Sequence, residues 1–219
     1  MKTDLPEKFA ILQRDKVTYA IKTNTPGGFV NSDQLRRIAE VVEKYGIQAV
    51  KMTSAQRMLL IGLPEDKLDD ASADLGDMGG AFTGVCVHYV KICPGATYCK
   101  RGQQNSIALG LRMDKMFQGV NLPKKFKMGI SGCQNDCSEV CIKDAGLIGT
   151  PKGWNVMLGG NGGAAPRFAV RLAEAVTSED EALNLVERII SWFKNKERAC
   201  RIGKIVGEIK LEDLRKEIL

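Results

Sequence analysis

The residues most able to do chemistry are cysteines: the chain has seven, Cys86, Cys93, Cys99, Cys133, Cys137, Cys141 and Cys200. An odd count, with five of the seven between positions 93 and 141, argues against a disulfide framework and for metal or redox chemistry. Four of them form two local pairs, Cys93-x5-Cys99 and Cys133-x3-Cys137, with 33 residues between the pairs. A helix starting at 133 and running to 143 would set Cys133 and Cys137 one turn apart on one face, as two ligands of a multi-iron cluster require. Four thiolates suffice for a cubane. A zinc ribbon is disfavoured because ~2 residues commonly separate each of its pairs. Spacing alone leaves buried structural cysteines as the alternative.

A second chemical feature is charge. Lys and Arg total 32 against 26 Asp and Glu, a net +6, and residues 100–127 hold seven bases with one acid, so the rest of the chain is balanced. A local excess suits a small anion or an anionic cofactor better than a nucleic-acid stripe, and nucleic acid is not an expected partner. Lys125 and Lys127, two apart in an expected strand, point to one face and offer two ammonium groups to one oxyanion; an exposed lysine-rich edge is the plainer reading. The lone His88, the extra thiols Cys86, Cys141 and Cys200, and Trp154 and Trp192 read as packing residues.

These side chains need a scaffold. At 219 residues, 44 % apolar and 26 % charged, the chain has the composition of one or two ordinary globular units of α+β class. Lys16 to Thr25 reads as a strand; a helix opens at Asn31 or Ser32 and ends at Gly46. Extended runs follow at 47–53 and 56–63, a helix at 64–76 and a strand at 85–93. This β-α-β-β-α-β order is the ferredoxin-like pattern, and it sets the domains at 1–92 and 93–219. The second half reads as a helix at 104–118, a strand at 124–131, the cysteine-bearing helix start, strands near 147 and 155–158, a helix opened by Ser178, and two short C-terminal helices. No apolar run approaches the ~20 residues of a membrane span, and MKTDLPEKFAILQRDK has no leader-like core, so a cytoplasmic protein without membrane partners is expected.

ICPGATYCKRG, ISGCQNDCSEVCIKDAGLIG and LGGN, with TPGG and TSAQR ahead of them, resemble the siroheme and 4Fe-4S nitrite and sulfite reductase hemoprotein family over about residues 15–170. The resemblance implies a ferredoxin-like half-domain followed by a siroheme/4Fe-4S-binding α+β domain, in a small, single-repeat member of the family. It implies that Cys93, Cys99, Cys133 and Cys137 hold the 4Fe-4S cluster and that Cys137 bridges to siroheme. Thr53, Gln56, Arg57, Arg101, Asn135 and Asn161 are implied around the macrocycle. KFK is similar to the substrate-binding lysine pair, so Lys125 and Lys127, with Arg57 as a candidate, are implied in catalysis. Lys127, where nitrite-reducing members tend to have asparagine, favours six-electron reduction of sulfite to sulfide. Nitrite reduction to ammonia, or a non-catalytic siroheme or electron-relay protein, are the alternatives. Gln134, Asn105 and Ala55 depart from the family pattern. With no nicotinamide or flavin fingerprint, electrons are expected from an external donor such as ferredoxin or a reductase subunit. A homodimer with a site shared between its two copies is expected too, because Lys127 and Cys133 lie ~20 Å apart along an extended strand; the alternative is a chain that folds back after Ser131 and makes each copy self-sufficient.

Overall fold

The computed structural model describes residues 2–196 and 198–219, which divide into two compact units, one ending at Gly84 and the next starting at Val85. The first holds, in chain order, β1 (Ala10–Leu12), β2 (Tyr19–Lys22), α1 (Ser32–Lys44), β3 (Ala49–Met52), β4 (Met58–Leu63) and α2 (Leu68–Asp74). Its sheet is antiparallel in the order β1-β2-β4-β3. Asn31 opens α1 with a capping box: its side chain accepts the Gln34 N–H at 2.9 Å, and the Gln34 side chain accepts the Asn31 N–H at 3.0 Å. Ile38 and Val41 of α1 then pack with Ile21, Leu60 and Leu68 in a core of this unit's own.

The second unit holds β5 (Val87–Ile92), α3 (Gly95–Tyr98), α4 (Ser106–Phe117), β6 (Phe126–Ser131), β7 (Ala145–Thr150), β8 (Gly153–Leu158), β9 (Val170–Val176), α5 (Glu179–Lys194), α6 (Ile202–Val206) and α7 (Leu211–Ile218). Its sheet runs β5-β6-β7-β8-β9; the first three strands are parallel and the last two antiparallel. Phe126, Met128 and Ile130 of β6 join Leu109 and Met113 of α4 and Val186 and Ile189 of α5 in one core. Strand alternation therefore turns Lys127, Gly129 and Ser131 to the opposite face.

Three features differ from the sequence reading. The 85–93 strand does not close the first sheet: β5 pairs with β6, and its Val87, Val90 and Ile92 belong to the second core, so the division falls at 84/85 and not at 92/93. Residues 133–143 do not start an α-helix. Asp136 and Glu139 have φ of 49° and 56°, and the Asp136 carboxylate accepts the N–H groups of Val140 (2.8 Å) and Cys141 (2.9 Å) and the Ser131 hydroxyl (3.0 Å). A side chain that satisfies these donors replaces the helical ladder and leaves a folded loop with one 3-10 turn at Val140–Ile142. Finally, β1 and β9 were not expected. β1 is only three residues long, and in β9 register shifts and the positive φ of Ala175 (55°) disrupt the two-residue period.

Candidate redox and anion site

The two cysteine pairs sit just beyond the C-terminal ends of neighbouring parallel strands, Cys93 directly after β5 and Cys133 two residues after β6. Open α/β sheets place their ligands at this edge. The loops are bound backbone to backbone: the Gly132 carbonyl accepts the N–H groups of Gln103 (2.8 Å) and Gln104 (2.9 Å), and the Cys93 N–H donates to Ile130 O at 3.2 Å. A Cβ on Gly132 would lie 2.6 Å from the Gly95 Cα and 2.7 Å from Gln104 O, so this close approach needs glycine. The Gly132 N–H points at the Cys93 sulfur at 3.1 Å, and the Ser106 hydroxyl is 3.3 Å from it. Cys93 is buried, Cys133 half-buried, and Cys99 and Cys137 exposed.

Among the described residues no three His, Cys, Asp or Glu side chains converge on a point that would hold one metal ion. A cubane asks for a different arrangement, one thiolate for each of four irons at separate corners. Four thiols on two interlocked loops, one already accepting a backbone N–H, fit that demand.

Behind the cysteine loop the chain folds back over the open face of the second sheet. A Cβ on Gly129 would touch Ser138 O at 3.2 Å and Lys143 Cγ at 3.4 Å, and the Asp144 N–H donates to Lys127 O at 3.0 Å. Glu139 on this loop bridges Lys91 of β5 (3.0 Å) and Lys143 (2.9 Å), and the two ammonium groups hold its carboxyl below the ordinary range. The carboxylate of Asp144, fully buried, is gripped by Arg201 through Nε (2.9 Å) and Nη2 (2.6 Å) and accepts the Lys127 N–H at 2.7 Å. Burial raises the Asp144 carboxyl, and Arg201 pulls it back.

Lys127 is half-buried, and its ammonium titrates below an ordinary lysine, first from burial, then from the charges of Arg201 and Lys125. Tyr89, beside it on β5, is pushed up to about 12 by burial and then by Asp144 and Glu139, so it stays a neutral phenol. Lys91 and Lys143, paired with Glu139, and Arg201, paired with Asp144, thus gather around half-buried Lys127, with Lys125 exposed. This donor set fits a polycarboxylate macrocycle or a small oxyanion.

Arg101 and Asn135 lie exposed in the two cysteine loops. Asn161 follows the Gly159-Gly160 turn, donates to Ala165 O at 2.8 Å, and lines a cleft of about 300 Å³ with Arg167, Arg201 and Lys204. A Cβ on Gly160 would lie 2.6 Å from Lys143 O and 2.7 Å from Cys141 O, so this glycine turn is pressed against the cysteine loop. Thr53, Gln56 and Arg57 belong to the first unit, where Thr53 Oγ1 donates to Arg57 O at 2.8 Å and Gln56 takes φ 59° in a tight turn. Arg57, expected at an anion, is instead 1 % exposed and donates to Asn24 Oδ1 at 2.6 Å, which makes it a support of that turn.

Sequence reasoning missed Lys91, Glu139, Lys143, Asp144 and Arg201, because their meeting depends on parallel pairing and on the return of the 133–144 loop. It also assigned the whole basic stretch to one cradle. Arg112 instead pairs with Glu179 (3.2 Å) and Asp180 at the start of α5.

Fold and site together define a two-unit α+β redox protein with a four-cysteine edge and a cationic face. Residues 83–219 match the nitrite and sulphite reductase 4Fe-4S domain and residues 11–78 the nitrite/sulfite reductase ferredoxin-like half domain. The chain belongs to the nitrite and sulphite reductase family, whose cofactors are a 4Fe-4S cluster and siroheme. It is 38 % identical to an assimilatory-type sulfite reductase of Nitratidesulfovibrio vulgaris, over 97 % of each chain. It is also 38 % identical to the nitrite reductase [NAD(P)H] of Bacillus subtilis, over 84 % of this chain but 24 % of that one. The Mycobacterium tuberculosis NirA protein shares the fold, with TM-score 0.80 at 17 % identity over 99 % of this chain and 43 % of that one. So does a dissimilatory sulfite reductase, DsrI, with TM-score 0.83 at 13 % identity over 92 % and 69 %.

Proposed function

We propose that this chain reduces sulfite to sulfide, with Cys93, Cys99, Cys133 and Cys137 holding a 4Fe-4S cluster and Cys137 shared with siroheme. The observation that carries the reading is that one strand, β6, bears a half-buried lysine near its start and leads into Cys133 and Cys137 just past its end. The end-to-end similarity to an assimilatory-type sulfite reductase supports sulfite over nitrite, as does lysine at 127. The B. subtilis nitrite reductase keeps nitrite as the second reading.

Taking sulfur from +4 to −2 consumes six electrons, which siroheme and its cluster, when bound, would relay singly from the external donor. The chain's own residues do the rest. Lys125 and Lys127 attract the oxyanion, and the Lys127 ammonium, its proton loosened by burial, gives protons to departing oxygens. Tyr89 remains protonated beside it. Thr53, Gln56, Arg101, Asn135 and Asn161 are assigned to support of the macrocycle, while Arg57 holds the turn that carries Thr53 and Gln56.

Among the described residues no helix is long and apolar enough to cross a membrane. The proposed setting is the cytoplasm, where thiols stay reduced, with electrons from a separate ferredoxin or reductase subunit. A homodimer is the proposed assembly; the return of the chain from Cys133 to Lys127 favours a complete anion site in each copy.

The test is anaerobic purification, iron and acid-labile sulfide analysis, an absorption spectrum, and steady-state rates on sulfite and nitrite with a chemical reductant. Cofactor-loaded protein with higher kcat/KM on sulfite supports the reading. A higher value on nitrite reverses the substrate, and no turnover with no anion-induced spectral change leaves a relay protein.

A further inference from the structure

The Asp144–Arg201 pair is costly for a purely structural device. Asp144 is 0 % exposed at the Arg201 contact, and a buried ion pair is on average no more stabilising than apolar packing of the same volume. Its position is more informative. Asp144 meets Lys127 twice, through its own N–H to Lys127 O (3.0 Å) and through its carboxylate from the Lys127 N–H (2.7 Å), and its carbonyl accepts the Gly159 N–H at 2.7 Å. One residue therefore fastens the lysine strand, the glycine turn before Asn161 and, through Arg201, the segment leading into α6.

We propose that Asp144 and Arg201 are positioning residues for Lys127, the carboxylate fixing the lysine's backbone and the pinned guanidinium setting the charge beside its ammonium. This rests on reading Lys127 as the anion-site lysine. The groups acting on Lys127 come from every neighbouring element: Lys125 from its own strand, Asp144 and Lys143 from the lead into β7, Arg201 from the lead into α6, and the neutral phenol of Tyr89 from β5. Burial first, then Arg201, Lys125 and Lys143, loosen its proton, and Asp144 retains it. Removing either member of the pair should therefore move the Lys127 titration in opposite directions, upward for Arg201→Gln and downward for Asp144→Asn.

The experiment uses the cofactor-loaded protein and two readouts. The first is the acylation rate of the Lys127 amine against pH, followed by peptide mass spectrometry. The second is kcat/KM for sulfite in a cycle of Arg201→Gln and Asp144→Asn, each with and without Lys127→Ala. The expected result is opposite titration shifts, a loss of about tenfold or more in kcat/KM when Lys127 is present, and no further loss in the Lys127→Ala background. Equal losses in both backgrounds with an unmoved titration would overturn the proposal and leave the pair as structure. Wild-type turnover by Lys127→Ala alone would instead remove the reading on which the proposal rests, and the proposal with it. Should either single variant fail to fold, Asp144→Asn/Arg201→Gln leaves no unpaired buried charge and runs the same cycle: non-additivity with Lys127→Ala supports the proposal and additivity overturns it.

Discussion

Cys141 lies four positions after Cys137 and repeats the spacing of Cys133 and Cys137, which on spacing alone gives the two similar claims as ligands. Their surroundings do not. Cys137 is exposed at the four-cysteine edge, whereas the Cys141 N–H is tied to Asp136 and its thiol is pushed up, first by burial and then by that carboxylate. A thiol that resists deprotonation is a poor metal ligand. Cys137→Ser should therefore lose most of its iron, acid-labile sulfide and activity, while Cys141→Ser keeps all three; the reverse result would move the ligand assignment from 137 to 141. The proposed anion binding needs the Lys127 ammonium charged, and its titration is lowered, so the sign is fixed: KM for sulfite should rise with pH through a range below that of an ordinary lysine. Lys127→Arg, whose charge does not titrate there, should flatten that rise, measured as KM against pH. Lys127→Asn should cost sulfite turnover more than nitrite turnover, because a singly charged anion needs the second cation less. Equal losses would leave Lys127 with a general electrostatic role.

Elements place these residues through backbone contacts that side-chain chemistry does not reveal. The cysteine loops meet at Gly132 and Gly95, where no Cβ fits, and Gly132→Ala must push them apart. Overpacking of this kind costs about 1–3 kcal/mol. The variant should unfold at a lower temperature and bind less iron, whereas Gly163→Ala, whose nearest neighbour would be Asn161 Oδ1 at 3.4 Å, should match the parent by both measures. Helix α1 was legible because Asn31 and Gln34 are local signals, and α5 because Ser178 caps it and its apolar residues repeat at helical spacing. The pairing of the cysteines along the chain was legible for the same reason, since each pair is a short local spacing. The 133–143 loop was not, because Asp136 outcompetes the helix for its donors, and no periodicity records that contest. Nor was the membership of β5: six apolar-rich residues make a strand in either sheet, and only the core contributed by α4 and β6 decides which.

On the scale of the whole molecule, the net charge of +6 conceals two populations. Arg112 is spent on the start of α5, while Lys91, Lys143 and Arg201, from outside the basic stretch, join Lys127 on the open face of the second sheet. The extended-chain argument for a shared site placed Lys127 too far from the cysteines to serve with them. The chain answers by folding back: Gly129 packs against Ser138, and Asp144 returns to Lys127, so the loop after Cys133 and the lysine occupy one face of one copy. The proposed self-contained site has a direct consequence for mixed assemblies. If a Cys137→Ser chain and a Lys125→Ala/Lys127→Ala chain are combined, every copy still lacks one half of the machinery. A verified heterodimer should then stay as inactive as its parents, and a verified wild-type monomer should turn over sulfite at the full rate per chain. Recovery of activity in the heterodimer, with an inactive monomer, would mean that the lysines act across a two-fold interface.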